Sequence, residues 1–295
     1  MIGVIADDLT GAAELGAVGL RYGLRAEVVR SGKPSGVADL VCVDTDSRSC
    51  EPKEAAKRAA AAAKLLRGAG AKWVYKKIDS VLRGNVTVEV EAVMKQLDFN
   101  RALLLPANPS LGRIIRDGEY FIKGQPVHRT EFAKDPEYPR HSPQVLRLLT
   151  EPEHFLLRLA NGELSVPENT LLIGQTDTSE RVRQWVDARE PAWLPVGGSE
   201  FFGALLEAEF AGATPSVPEK INFSTGKQLF ICGTDGFGRS DTRARLRRYF
   251  GVDVESTVIG TLYALAEKNL IERKVVAQAI KDLGVDAEMV QPQIV

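Results

Sequence analysis

Apolar runs alternate with helical patterns along the first half of the chain. Residues 1–6 form a short apolar run typical of a buried strand, and Thr10 and Gly11 open a helical pattern that continues to Tyr22. Similar runs predict further strands near residues 25–30, 39–44, 72–79 and 101–106. Helical patterns lie between them over about 52–68 and 87–97. Because strand alternates with helix, the sequence predicts an α/β fold with a mostly parallel sheet flanked by helices.

The alternation is interrupted between residues 110 and 150. Residues 119–122 and 125–128, separated by Lys123 and Gly124, predict an inserted β-hairpin. Ser142 and Pro143 then offer an N-cap and a first-turn proline for a short helix to Leu149. The α/β pattern returns afterwards, with strands near 171–173 and 193–196 and helices from Asp177 to Trp185 and through Leu206.

The pattern also predicts how the chain divides into domains. Residues 211–227 are rich in Pro, Ser, Thr and Gly, which is typical of a linker. They separate a first domain, residues 1–210, from residues 228–295. The latter begin with an apolar strand-like run and continue with helical patterns, which predicts a small C-terminal α/β piece.

Composition narrows the class of protein. The chain has 38 basic and 39 acidic residues, a net charge of −1, so its charge favours neither nucleic acid nor an anionic membrane as a partner. No apolar run approaches the roughly 20 residues of a membrane span, and Met1 leads directly into a strand rather than a signal peptide. The three cysteines and three histidines lack metal-ligand spacing, so we expect a reduced, cytoplasmic protein without a metal site of its own.

Charged and amide side chains follow several of the predicted strands. These pairs are Asp7 and Asp8, Asp44 and Asp46, Lys77 and Asp79, Arg83 and Asn85, and Asn108 and Arg113. The carboxyl ends of parallel strands share one edge, so we expect the pairs to converge there. Arg and Lys bind carboxylate or phosphate, whereas Asp and Asn bind hydroxyls, so this edge suits a small, polyhydroxylated anion. Taken singly, each residue is more commonly a helix cap or a surface ion pair, and one of Asp7 and Asp8 would then cap the first helix while the other is solvated.

Other catalytic motifs are missing from the sequence. There is no nucleophile elbow, no zinc-binding H-E-x-x-H and no Walker A lysine motif. Gly233, Gly236 and Gly238 follow an apolar run and resemble a phosphate-cradling turn, although their spacing differs from the dinucleotide fingerprint. A simple tight turn is the alternative interpretation.

Four ordered motifs carry a resemblance to a known family. They are Asp7-Asp8-Leu-Thr-Gly11, Lys77-Ile-Asp-Ser-Val-Leu-Arg-Gly-Asn85, Pro106-Ala-Asn-Pro-Ser-Leu-Gly-Arg113 and Thr130-Glu-Phe-Ala-Lys-Asp-Pro136. In order and spacing they resemble the four-carbon acid sugar kinases, which include 3-oxo-tetronate and threonate kinases. The resemblance covers about residues 1–210. It implies a sugar-acid-binding domain followed by a nucleotide-binding domain, with transfer of the γ-phosphate of ATP to a sugar-acid hydroxyl.

The resemblance, together with the strand-end argument, gives a set of expected site residues. The sugar-acid site would comprise Asp7, Asp8, Lys77, Asp79, Ser80, Arg83, Gly84, Asn85, Asn108, Gly112 and Arg113. Asp8 would be the general base that accepts the hydroxyl proton. Nucleotide contacts would come from Gly233, Thr234, Gly236, Gly238 and Ser240, with ATP and Mg²⁺ as cofactors.

Two departures from the family leave the function open. Val81 stands where the family usually has Thr, and residues 228–295 are shorter than the family's nucleotide-binding domain, with its later glycine-rich ATP-binding motif absent. The chain would therefore be a kinase, acting alone, as a homodimer or with a separate nucleotide-binding chain. The alternative is a sugar-acid-binding protein without turnover.

Overall fold

The computed structural model describes residues 1–210, 247, 248 and 250–286. The chain divides into two compact units, Met1–Lys220 and Ile221–Val295. The predicted linker over 211–227 and the glycine-rich segment around 233–240 lie outside the described residues, so those two predictions stay predictions.

An eight-stranded parallel sheet forms the centre of the first unit. Its strands are β1 (Ile2–Ala6), β2 (Ala26–Val29), β3 (Leu40–Asp44), β4 (Val74–Lys77), β5 (Arg101–Leu105), β9 (Leu156–Ala160), β10 (Thr170–Gly174) and β11 (Leu194–Gly197). Their spatial order is β2-β3-β1-β4-β11-β5-β10-β9, and every pair is parallel. The predicted α/β class is therefore confirmed, and all eight carboxyl ends lie along one edge.

Helices cover both faces of this sheet. They are α1 (Leu9–Leu20), α2 (Pro52–Gly68), α3 (Val86–Leu97), α4 (Ser179–Ala188) and α5 (Ser199–Glu209). Because successive side chains of a strand point to opposite faces, Ile5 packs in a core with Val90 of α3, whereas Val4 packs in a second core with Leu15 of α1. Helices α2 and α3 thus cover one face, and α1, α4 and α5 cover the other.

The inserted hairpin is part of a second, antiparallel sheet of three strands, β6 (Arg113–Arg116), β7 (Glu119–Ile122) and β8 (Gln125–Pro126). Lys123 (φ 49°) and Gly124 (φ 81°) form its turn, and two positive φ values are what a tight hairpin requires. The predicted hairpin is confirmed, although its second strand ends at Pro126. Strand β6 was not predicted.

The region after the hairpin differs from the sequence prediction. Instead of a helix from Ser142 to Leu149, the chain makes one 3₁₀ turn, Val145–Leu148. The backbone N–H of Val145 donates to Gly118 O at 2.9 Å, so this segment pairs with the hairpin rather than with itself. Strand β9 was also missed, because only one of its five residues is fully buried and its pattern is weak.

The second unit contains two described helices, α6 (Val254–Glu267) and α7 (Arg273–Asp282). Asp253 caps α6 by accepting from Ser256 N at 2.8 Å. Both helices agree with the helical patterns predicted for this region. Across the described parts of both units, no helix combines the length and apolarity that crossing a membrane requires.

Candidate active site

The carboxyl ends of β1, β3 and β4 bring acidic and basic side chains together at the centre of the sheet edge. Asp7 and Asp8 follow β1, Arg48 lies in the loop after β3, and Asp79 follows β4. The loop after β3 is held close to β1, because Ser47 N and Arg48 N both donate to Asp7 O, at 2.9 and 3.2 Å. Parallel pairing thus converts residues distant in sequence into neighbours.

Arg48 is the central cation of this group. Its Nε lies 2.6 Å from Asp7 Oδ2, and its Nη1 lies 3.0 Å from Asp8 Oδ2 and 3.8 Å from Asp79 Oδ1. Burial by itself lowers the pKa of Arg48, but the charges of these three carboxylates outweigh it and raise the pKa further above its usual value. The guanidinium is therefore charged and shared among three acids.

Arg83 is the second cation and faces two acids. It forms a bidentate pair with Asp79, Nη2 to Oδ1 at 2.9 Å and Nε to Oδ2 at 3.1 Å, while its Nη1 reaches Asp135 Oδ2 at 3.0 Å. Burial alone raises the pKa of Asp79, but the hydrogen bonds from Arg83 and the charge of Arg48 hold it well below its usual range. We call Asp7, Asp8, Arg48, Asp79, Arg83 and Asp135 the acid–arginine cluster.

The tight turn after β4 brings Arg83 and Arg48 together. Leu82 and Gly84 both have positive φ, 64° and 83°, and a Cβ on Gly84 would lie 3.0 Å from Arg48 Cγ. Glycine at 84 is therefore required both by conformation and by the close approach of the Arg48 loop. A left-handed leucine is costly, and such strain concentrates at functional sites.

Asn85 supports the loop rather than reaching the acids. Its Nδ2 donates to Cys50 O at 2.8 Å and Ser47 O at 3.3 Å, on either side of Arg48. Val81, the departure from the family motif, is buried in the core beside α2 and α3, so its side chain lies away from the cluster.

Asp8 performs the capping role and also belongs to the cluster. Its Oδ1 accepts from Gly11 N at 2.8 Å, at the start of α1, while its Oδ2 faces Arg48. Lys77 lies beneath this helix start, where its Nζ donates to Ile78 O at 3.1 Å and lies 3.4 Å from Glu14 Oε2. A lysine and a helix N-terminus give this side of the cluster positive potential.

The remaining predicted residues lie on the loops beyond the cluster. Arg113 Nη1 donates to Ser80 Oγ, which connects the second sheet to the turn after β4. Asn108 Oδ1 accepts from Glu200 N at 3.1 Å and so joins the end of β5 to the start of α5. Gly112 (φ 69°) begins the turn into β6 and contacts Lys123 rather than the acids.

A buried ion pair lies under the cluster. Lys76 Nζ is 2.7 Å from Glu89 Oε2, and both side chains are almost completely shielded from solvent. Glu89 Oε1 accepts from Ser47 Oγ at 2.8 Å, next to Arg48. This pair connects β4 and α3 to the loop that carries Arg48.

The cluster is suited to exchange partners with a ligand. One buried oxygen of Asp7, Oδ1, has no hydrogen-bond partner among the described residues, although buried carboxylate oxygens normally have one. A ligand carboxylate could replace an aspartate on either arginine, and the released aspartate oxygens could accept ligand hydroxyls. The arrangement therefore fits a molecule that carries both groups.

Sequence reasoning missed two members of the cluster. Arg48 comes directly after the polar segment from Asp44 to Ser47, and a basic residue one step beyond a polar strand end was the available signal. Asp135 lies in the fourth motif but follows no strand. Asp44 and Asp46, which the strand-end argument places at the edge, lie apart from the cluster, and Asp44 pairs with Arg30 at 3.1 Å. The predicted nucleotide contacts, Gly233 to Ser240, lie outside the described residues.

Comparison with known proteins finds a family model and several named relatives that are similar to this chain. A family model described as a sugar-binding N-terminal domain matches residues 2–187. The D-threonate kinase of Salmonella typhimurium is 38% identical over 149 residues, 50% of this chain and 35% of that protein. The D-erythronate kinase of Heliobacterium modesticaldum is 31% identical over 183 residues, 60% of this chain and 40% of that protein. The chain thus spans well under half the length of these relatives.

A different relative matches a shorter stretch. The pyruvate dehydrogenase E1 component of Pseudomonas aeruginosa is 50% identical over 66 residues, which is 22% of this chain and 8% of that protein.

Among solved structures, Haemophilus influenzae protein HI1011 shares the fold, with a TM-score of 0.66 at 21% identity over 72% of this chain and 57% of that one. A Bordetella bronchiseptica protein, solved with bound citrate as a domain-swapped dimer, gives a TM-score of 0.61 at 24% identity over 70% of this chain and 56% of that one.

Proposed function

Since the chain belongs to the four-carbon acid sugar kinase family through its sugar-binding N-terminal domain, we propose that the acid–arginine cluster binds a four-carbon sugar acid such as threonate or erythronate for phosphorylation by ATP. The observation that carries this proposal is the pairing of two buried arginines with four aspartates at one sheet edge. A sugar acid offers one carboxylate and several hydroxyls, which are the partners that these groups lack when they pair only with each other.

Binding would proceed by exchange of ion-pair partners. The sugar-acid carboxylate would take the place of an aspartate on Arg83, whose planar guanidinium suits a bidentate contact. Asp7 and Asp8 would then accept hydroxyl hydrogens, and Asp7 Oδ1 has a free acceptor site already. The citrate in the related Bordetella protein is likewise a hydroxylated carboxylate, which fits the same class of ligand.

Asp8 is the proposed general base for the reacting hydroxyl. It is the most exposed of the three carboxylates around Arg48, with 27% of its side chain accessible against 6% for Asp7 and 7% for Asp79. An accessible carboxylate can reach a ligand from the solvent side, and hydrogen bonding to the reacting hydroxyl is the first requirement for general base catalysis. The others would position the substrate.

ATP would supply the γ-phosphoryl group. Mg²⁺ would accompany the nucleotide. The nucleotide would be bound by the second unit, by a second copy of the chain or by a separate protein. The described residues contribute substrate binding, orientation and proton acceptance.

Calorimetry of the full chain tests the proposal. We expect D-threonate or D-erythronate to bind, erythritol, which lacks the carboxylate, to bind at least about tenfold more weakly, and Arg83→Ala to lose binding. Arg183→Ala, at an exposed position of α4, is the matched control and should bind normally. Equal affinity of the wild type and Arg83→Ala would remove Arg83 from the site. Equal affinity for the acid and the polyol would overturn the proposed ligand class.

The match to the pyruvate dehydrogenase E1 component supports a second candidate for the second unit. The family model accounts for residues 2–187, and residues 221–295 are long enough to contain a 66-residue match, so we infer that this match lies there. The second unit would then be an E1-type segment in place of a shortened nucleotide-binding domain. The chain would bind a sugar acid without turning it over.

Titration with Mg·ATP separates the two candidates. Binding of ATP by the full chain, followed by phosphorylation of D-threonate in a coupled assay, would establish the kinase. Binding of D-threonate with no heat from Mg·ATP would favour the E1-type segment. A separate nucleotide-binding chain, once supplied, should restore turnover if the chain is half of a split kinase.

A further inference from the structure

A cavity lies at the opposite edge of the sheet from the acid–arginine cluster. It has a volume of about 470 Å³ and opens beside the amino-terminal ends of β4 and β11. Most of its wall is aromatic or apolar, with Trp73, Phe99, Trp193 and Leu205 among the lining residues, and three charged residues, Lys72, Arg189 and Glu209, also line it. Cavities of about 300–1,000 Å³ with such walls and a few polar groups are typical ligand sites.

Arg189 is a cation in this wall, and the carboxylate that also lines the cavity, Glu209, accepts a hydrogen bond from Trp73 Nε1. Its Nη1 donates to the carbonyl oxygens of Trp193 at 2.9 Å and Glu190 at 3.3 Å, and within the described ranges it forms no ion pair with a carboxylate. Burial lowers the pKa of Arg189. Arg48 and Arg83 each face two or more acids, whereas the buried Arg140 donates to the carbonyl oxygens of Tyr138, Leu82 and Leu148.

Two buried donors in the same wall also lack acceptors. Arg189 Nε and Trp193 Nε1 have no hydrogen-bond partner in the part of the chain that the structure describes. An unsatisfied buried donor costs roughly 1–3 kcal/mol, so two in one wall are unusual. A carboxylate placed against Arg189 would balance the guanidinium charge.

The rest of the cavity favours an apolar ligand body. Trp73 is fixed by its Nε1, which donates to Glu209 Oε2 at 2.7 Å, and Phe99 adds a second aromatic surface. Trp193 is itself held from outside by Arg101, whose guanidinium lies 5.9 Å from the centre of the ring. A sugar acid would leave its hydroxyls without partners against these walls.

We propose that this cavity binds a small aromatic or apolar monocarboxylate, with its carboxylate on Arg189 and its ring against Trp73 and Phe99. The site is separate from the sugar-acid site and does not depend on the proposed kinase function. It gives the first unit a second ligand class, recognised by one charge and an apolar body.

Tryptophan fluorescence of the full chain, titrated with benzoate, tests the site. Two of the three tryptophans of the chain lie in this cavity, so we expect a saturable change with a dissociation constant below about 10 mM. Benzyl alcohol, which has the ring without the charge, should bind at least about tenfold more weakly. Saturating D-threonate should leave the benzoate titration unchanged.

Substitutions on α4 and just beyond it provide the matched comparison. Arg189→Gln should weaken benzoate at least tenfold while leaving benzyl alcohol unchanged, whereas Arg183→Gln, at an exposed position, should change neither. Trp73→Leu should weaken both probes. The absence of a saturable signal, equal affinity for the two probes, or competition by D-threonate would each overturn the proposal. All three are measured on the unsubstituted chain, so they do not depend on whether a variant folds.

Discussion

At the scale of single residues, the chemistry of this protein depends on which partner each charge has. Arg48 and Arg83 are charged, largely buried and shared among aspartates, so each is held in place before any ligand arrives. A ligand of the proposed site would bind by exchange, because it would displace the aspartates that already hold the arginines. A ligand would then be selected by whether its own carboxylate and hydroxyls can replace the contacts of the displaced aspartates.

Arg48 should contribute to sugar-acid affinity as strongly as Arg83. Arg48→Gln removes the charge that three carboxylates share, so we expect sugar-acid binding to weaken by roughly 10–100-fold, since a charged hydrogen bond contributes about 1.5–3 kcal/mol. Calorimetry with D-threonate measures this. Arg25→Gln, an exposed ion pair at the far edge of the sheet, is the control and should bind normally.

Gly84 should be intolerant of a side chain for two separable reasons. Gly84→Ala forces a left-handed residue, costing about 1–2 kcal/mol, and places a Cβ 3.0 Å from Arg48 Cγ. We expect a lower thermal midpoint and weaker sugar-acid binding. Gly124→Ala has the same positive φ but nothing within 4 Å, so it should lose stability and keep its affinity. Loss of affinity in both variants would contradict a specific role for the Arg48 contact.

At the scale of elements, the site is built where β1, β3 and β4 end and α1 and α3 pack beside them. Each loop is short and contacts its neighbour. The loop after β3 is held by hydrogen bonds to the backbone of Asp7, and the turn after β4 packs against Arg48. The second sheet attaches to the same turn, because Tyr120 donates from its hydroxyl to Ser80 O at 2.6 Å. Strands and helices thus fix the positions of the charged side chains at the site.

The buried pair of Lys76 and Glu89 should be the most sensitive link between these elements. Glu89→Gln leaves the Lys76 charge buried without its carboxylate, so we expect a loss of about 3–5 kcal/mol in the free energy of unfolding. Denaturant titration measures it. Lys76→Met combined with Glu89→Leu should recover most of the loss, and Glu54→Gln, in an exposed helix pair, should cost under about 1 kcal/mol. A small effect of Glu89→Gln would show that water or a shift of Lys76 relieves the charge.

At the scale of the whole molecule, acid should destabilise the first unit through Asp79. Its pKa is lower in the folded protein than in the unfolded chain, so its stabilisation is complete above about pH 5 and is lost as the pH falls below about 4. Urea midpoints measured from pH 3 to 7 should therefore rise with pH across the acid range. Asp79→Asn should flatten that rise, whereas Asp98→Asn, at an exposed position, should leave it unchanged. An unchanged slope in Asp79→Asn would assign the acid sensitivity to other groups.

The two units also bear differently on function. The first carries the acid–arginine cluster in the family's fold, and the second holds two described helices together with the segment that the sequence analysis assigned to the nucleotide. The chain spans 35% and 40% of the length of the two kinase relatives described above. Phosphorylation by this chain is therefore a proposal both about its own residues and about what the chain assembles with.

Much of the fold of this protein could be predicted from the sequence alone. Apolar runs that end in charged residues, separated by helical patterns, predicted the parallel α/β sheet and the inserted hairpin, because burial periodicity is a local property. Two motifs containing Asp7, Asp8, Asp79 and Arg83 pointed to the edge at which the acid–arginine cluster lies. The sequence did not predict which of these groups pair with each other. That Arg48 and Asp135 join the cluster, that Asn85 supports a loop, and that Arg189 and two tryptophans line one cavity follow from strand order and loop closure. Those are contacts between residues far apart in sequence, and only the tertiary structure decides them.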